Sequence, residues 1–131
     1  HRHSPEIDEK VFELTDIKAN INFVPSLIPV TRGMVVSIFV TLEDICDAKK
    51  VLEEFYENDE FVRVRQIPVN IKDTSGTNFC DIYVEQKDNA LFINTSIDNL
   101  LRGASSQAVV NANLMCGFEA NCGISKIAYV P

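Results

Sequence analysis

No stretch of this sequence approaches the ~18–20 consecutive apolar residues that a membrane-spanning helix needs, and no signal peptide is visible. Positive charge is scarce: 12 Lys and Arg stand against 19 Asp and Glu, for a formal net charge of −7. A phosphate backbone repels such a chain unless its cations cluster, so neither nucleic acid nor a membrane is expected as a partner. These absences predict a cytoplasmic protein. Four cysteines are too few for a disulfide scaffold at this length. Cys116 and Cys122 stand six apart, which is not a zinc-knuckle spacing, and both histidines lie at the chain start as His1 and His3. No metal site is expected, and the cysteines read as reduced packing residues. There is no G-x-G-x-x-G after a strand and no G-x-x-x-x-G-K-[ST], so no nucleotide-phosphate cradle is visible. No cysteine occupies a recognisable nucleophile context. On these grounds the chain by itself lacks the equipment of a complete enzyme.

What is present is an ordinary globular composition. The 131 residues are 46% hydrophobic and 24% charged, enough for one domain with a real core. The opening on His1 rather than methionine leads us to expect a piece of something longer. Ser4-Pro5-Glu6 predicts a helix start, with Ser as N-cap, Pro at the first helical position and acid in the first turn. Asn20–Pro29 and Gly33–Thr41 read as strands. The second, apolar on both faces, is expected in the centre of its sheet. Thr41-Leu-Glu-Asp44 resembles a capping box and predicts a helix with Ile45, Ala48, Leu52, Phe55 and Tyr56 along one stripe.

Phe61–Arg65 alternates as a half-exposed strand, placing Arg63 and Arg65 on a solvated face. A loop over Lys72–Thr77 leads into a hairpin with arms Asn78–Gln86 and Ala90–Ser96. Asp98-Asn99 caps a closing helix that runs to Gly117, a residue suited to a left-handed C-cap, and Ile124–Tyr129 reads as a last strand. Ala104, Ala108 and Ala112 form a small-residue stripe along that helix, read as packing. The order predicts α+β: a mixed, largely antiparallel sheet with helices on one face.

The unusual constellation is His1-Arg-His-Ser-Pro-Glu-Ile7. Two imidazoles precede a helix start and a carboxylate sits in its first turn, an arrangement that orients a histidine for general-base work. A solvated terminus is the alternative that spacing alone leaves open. This string resembles the H-R-H-x-P-E-I motif of the N-acetyl-γ-glutamyl-phosphate reductases. Phe23-Val-Pro-Ser-Leu-Ile-Pro-Val-Thr-Arg-Gly33 is similar to that family's F-x-P-x-L-x-P-x-x-R-G segment, and Asn78-Phe-Cys-Asp81 to its N-x-C/V-D strand. Ile97-Asp-Asn-Leu-Leu-Arg-Gly-Ala-Ser-Ser-Gln-Ala108 is similar to its I-D-N-L-x-K/R-G-A-x-x-Q-A helix.

The resemblance implies the C-terminal dimerisation and substrate domain over residues 1–131, of the kind found in glyceraldehyde-3-phosphate dehydrogenase. It also implies a preceding Rossmann domain, absent from this chain, that holds most of the NADP and supplies a catalytic cysteine. The implied reaction reduces N-acetyl-γ-glutamyl phosphate to the semialdehyde and phosphate in arginine biosynthesis. His1 would be the proton-handling histidine, with His3 and Glu6 binding or orienting substrate. Arg32 would meet the substrate's anionic groups, an exposed turn arginine being the alternative. Asn99 would approach the nicotinamide amide, in addition to or instead of capping the helix. The resemblance further implies a homo-oligomer formed through this domain and a small-molecule substrate. Two other readings stay open: a dimerisation module without catalysis, and a sister semialdehyde dehydrogenase acting on an aminoadipyl or aspartyl phosphate.

Overall fold

The computed structural model describes residues 3–129, and the chain divides into two compact units, one ending at Val30 and the other beginning at Thr31. In the first unit, helix α1 spans His3–Thr15 and takes Ser4 into its first turn rather than leaving it as a cap. The helix stops where Asp16 turns left-handed, with φ of 58°, while its N–H still donates to the Phe12 carbonyl at 2.8 Å. The strand predicted over Asn20–Pro29 does not form, and residues 17–28 carry no regular structure. Pro25 and Pro29 each lack the N–H that a ladder uses, which disfavours strand pairing along the run.

The second unit is a four-stranded sheet in the order β1-β4-β3-β2. Its strands are β1 (Met34–Thr41), β2 (Val62–Arg65), β3 (Cys80–Lys87) and β4 (Ala90–Ile97). β1 and β3 flank β4 antiparallel, whereas β2 lies parallel to β3. A parallel neighbour needs a crossover, and residues 66–79 supply it with the single helical turn α3 (Ile71–Thr74). The turn starts at Asn70, whose side chain accepts the Lys72 N–H, in a stretch read from sequence as loop. The predicted hairpin forms, closed by Asp88 at a φ of 55°. The mixed α+β sheet is thus as expected.

Helix α2 (Ala48–Phe55) covers the face built from the even residues of β3. Ala48, Ile82, Val84 and Leu91 make the buried core there, with Leu52, Tyr56, Val62 and Ile93 packed around it. The helix begins at Asp47, whose carboxylate accepts the Lys50 N–H, and not at the Thr41 box. Ile45 therefore falls before the helix and is exposed. The short α3 is the exception to helices on one face. It sits on the opposite face, where Thr74 Oγ1 and Ser96 Oγ lie 2.6 Å apart.

β1 is an edge strand and not a central one, pairing with β4 alone. Its apolar side chains face outward on both sides: Val35 is 43% exposed, Ile38 40% and Phe39 80%. The last predicted strand is also absent. Residues 124–129 are tied instead by single bonds, Asn78 Nδ2 donating to the Ser125 carbonyl at 2.9 Å and the Tyr129 N–H to the Gly76 carbonyl at 2.6 Å.

Gly76 holds a φ of +75°, and a Cβ there would overlap the Tyr129 carbonyl oxygen. Gly76→Ala is therefore expected to cost about 2–4 kcal/mol, combining left-handed strain with a backbone clash. The urea midpoint measures it. An unchanged midpoint would mean that the Tyr129 segment moves aside freely.

Candidate functional site

The chain leaves β4 at Ile97 and enters the closing helix through Asp98 and Asn99. An Asp at such a start accepts orphan N–H groups, and Asp98 Oδ1 takes those of Leu100 and Leu101 at 2.8 and 2.9 Å. The first turn is wide. The N–H of Gly103 bonds to the Asp98 carbonyl, and that of Ser105 to the Leu100 carbonyl. These five-residue steps form a π-turn over Leu101–Ser105 before α4 (Ser106–Met115), a feature common near functional sites. α4 ends as predicted at Gly117, φ +75°, with the Phe118 N–H reaching the Asn113 carbonyl at 2.9 Å. Asn113 Nδ2 donates to the carbonyls of Ala120 and Cys122, fixing the loop beyond. Ala104, Ala108 and Ala112 face outward on this chain.

Asp98 does more than cap. Its carboxylate is completely buried. Oδ2 accepts the Gly76 N–H at 2.7 Å and lies 3.0 Å from Arg32 Nη2, which also donates to Oδ1 at 3.2 Å. Next to it, Asn99 Oδ1 accepts the Gly33 N–H at 2.6 Å. The two residues expected to meet substrate and cofactor, Arg32 and Asn99, thus meet each other's loops at Asp98. Arg32 is not the free turn arginine that the alternative reading supposed. Its side chain is 32% exposed and is anchored by ion pair, and its Nε finds no acceptor among the described residues.

Burial on its own pushes the Asp98 carboxyl up, but the N–H groups of Gly76, Leu101 and Leu100 and the Arg32 guanidinium outweigh it and hold the pKa below its ordinary value. A carboxylate with a lowered folded-state pKa stabilises the fold above its unfolded pKa, and loses that contribution as pH falls through the folded value. Stability is therefore expected to fall as pH drops below about 4, with a shallower fall in Asp98→Asn. Urea titrations across that range measure it. Parallel curves for the two proteins would contradict the role of Asp98.

On α1, His3 Nδ1 lies 3.0 Å from Glu6 Oε2, so these two expected site residues do come together. Both are exposed, and the His3 ring meets Phe23 edge-on at 6.2 Å. His1 lies outside the described residues.

Arg63 and Arg65 are not simply solvated, as their strand pattern suggested. Arg63 Nε reaches the buried Asp81 Oδ1 at 2.6 Å, and Arg65 Nη1 lies 3.7 Å from Oδ2 of the same carboxylate. The Arg63 guanidinium also stacks on Phe79, 4.2 Å from the ring centre. Burial pushes the Cys80 thiol up, and Asp81 beside it adds to the shift. Such a thiol is inert at neutral pH, in keeping with a packing role. Among the described residues no group of three or more His, Cys, Asp or Glu could hold a metal ion, and no helix is long and apolar enough to cross a membrane.

The chain belongs to the semialdehyde dehydrogenase dimerisation-domain family, whose model matches residues 1–99. Among curated proteins, it is similar to the N-acetyl-gamma-glutamyl-phosphate reductase of Sulfurovum sp. (strain NBC37-1), with 53% identity across 100% of this chain and 39% of the relative. Proteins of the same name from Sulfurimonas denitrificans and Wolinella succinogenes are 56% and 52% identical, again across the whole of this chain and 38% and 39% of theirs. The chain thus spans less than two-fifths of the length of the curated relatives it matches.

Proposed function

We propose that this chain is the C-terminal dimerisation and substrate domain of an NADPH-dependent reductase that converts N-acetyl-γ-glutamyl phosphate to N-acetylglutamate semialdehyde and phosphate in the cytoplasm. The observation that carries this reading is the end-to-end match to reductases of that name at above 50% identity. The matched span includes the His1–Ile7 string and the Asp98-Asn99 helix start.

In this reaction a thiolate from outside the chain attacks the acyl carbon. The carbon–oxygen bond to phosphate breaks, and the resulting thioester is reduced to aldehyde with release of the thiol. The nicotinamide cofactor, when bound, supplies the hydride for that second step. Asn99 fits a contact with the carboxamide of such a ring. Its Oδ1 is committed to Gly33, its side chain is exposed, and the amide hydrogens on Nδ2 are the donors that a carboxamide oxygen accepts. Arg32, fixed by Asp98, meets the substrate's oxyanion. Paired with Glu6 through Nδ1, His3 orients substrate, while His1 moves the proton between thiol and developing alkoxide.

The dimer forms through the sheet face opposite α2. Val35, Phe39, Tyr83 and Phe92 share that face by register, the rings of Phe39 and Phe92 lie 5.1 Å apart, and an open cleft of ≈ 370 Å³ sits at its end beside Glu85 and Lys87. The test is phosphate-dependent reduction of NADP+ by the full-length protein with N-acetylglutamate semialdehyde. Saturable turnover is expected, and its absence would contradict the reading.

A further inference from the structure

Asp98 gathers groups from three separate parts of the chain. Arg32 lies 66 residues away in sequence and Gly76 22 residues away, while Leu100 and Leu101 follow it directly. A helix cap needs only the last two. A completely buried carboxylate that also holds a guanidinium and a distant backbone N–H is a joint, and the residues at the joint are shaped for it. Gly33 sits at a φ of +109°, with Ile71 packed where a Cβ would go. Gly76 is likewise left-handed, so that its N–H reaches Oδ2. Asn99 closes the arrangement by holding the N–H next to Arg32.

On the reading that Arg32 meets the substrate's oxyanion, we propose that Asp98 is a positioning residue, which sets the plane of the Arg32 guanidinium and the course of the loop that presents Asn99. An arginine on an unsupported turn pays rotamer entropy each time it engages an anion. With Nη2 held on Asp98, Arg32 meets the anion with part of that freedom already removed. Asp98 touches neither substrate nor cofactor and acts through these two side chains.

The test uses the full-length enzyme with inorganic phosphate as the probe, comparing wild type, Asp98→Asn, Arg32→Ala and the double variant. Two quantities are read: KM for phosphate in the aldehyde-oxidising direction, and the rise in unfolding temperature that phosphate produces. Asp98→Asn is expected to raise KM for phosphate on the order of tenfold or more, with a smaller fall in kcat, and to reduce the phosphate-induced thermal rise. In KM for phosphate the double variant should be no worse than Arg32→Ala alone, because Asp98 acts on the anion only through Arg32.

Asp98→Glu keeps the charge and serves if the Asn variant fails to fold. It is expected to give an intermediate rise in KM. Losses that add in the double variant, or a variant less stable than wild type but unchanged in KM for phosphate, would overturn the proposal. A wild-type protein that neither uses nor is stabilised by phosphate would overturn the reading of Arg32 itself, and so is a separate outcome.

Discussion

In the full-length protein, His1→Asn is expected to lower turnover by about 10²–10⁴, the range for loss of a positioned general base. His3→Asn and Glu6→Gln are expected to act mainly on the KM for the acyl substrate. These two side chains form a pair on α1, 3.0 Å apart. The pair is exposed, so its own contribution to stability is small, and the three variants should unfold at nearly the wild-type temperature. Activity and stability are thereby separable in one set of proteins. If His3→Asn shows the larger loss of turnover, the two histidines exchange roles. If neither replacement matters, the likeness of His1–Ile7 to the reductase motif does not carry its chemistry.

Phe39→Asp is expected to convert the proposed dimer to monomer at micromolar concentration. Phe39 stands on an edge strand and is 80% exposed, although its neighbours Val35 and Ile38 are also apolar. Isolated exposed hydrophobics need no explanation, but an exposed aromatic pair on one sheet face is the anchor expected at the proposed interface. Buried aromatic anchors at such surfaces contribute at least ~2 kcal/mol each, about thirtyfold in the dissociation constant, and a buried charge costs more. Sedimentation velocity gives the assembly state directly. Phe55→Asp is the control, since Phe55 is 76% exposed on the helix that covers the other face. A Phe39→Asp protein that stays dimeric would place the interface elsewhere.

The same strand shows why part of this fold was legible and part was not. Met34–Thr41 reads as a central strand because apolar residues fall on both its faces, a pattern that a strand at the sheet edge can also carry. Periodicity records that a side chain avoids water, not which surface covers it. The hairpin was readable because alternation and turn residues are local, and so were the Gly117 cap and the start of the closing helix at Asp98. The start of α2 is ambiguous in the sequence because Thr41-Leu-Glu-Asp44 and Asp47 both offer capping side chains. The choice fell to Asp47, after β1 had taken Thr41 into the sheet. Asn20–Pro29 failed as a strand through its prolines.

At the site, resemblance named Arg32 and Asn99, and Asp98 was visible only as a cap. Its larger role depends on Arg32 arriving from 66 residues away. A similar long-range pairing brings Asp81 to Arg63, 18 residues apart, and turns a strand pattern read as solvated into an ion pair. No period or spacing in the sequence encodes either contact.

The substrate is decided by following NADP+ reduction in the presence of phosphate with three aldehydes offered to the full-length protein. These are N-acetylglutamate semialdehyde, aspartate semialdehyde and the aminoadipate analogue. A kcat/KM for the acetylglutamyl aldehyde well above that for the other two is expected, on the order of a hundredfold or more for a site built to hydrogen-bond its substrate's polar groups. Preference for either of the other aldehydes, or no turnover with any of the three, would contradict it.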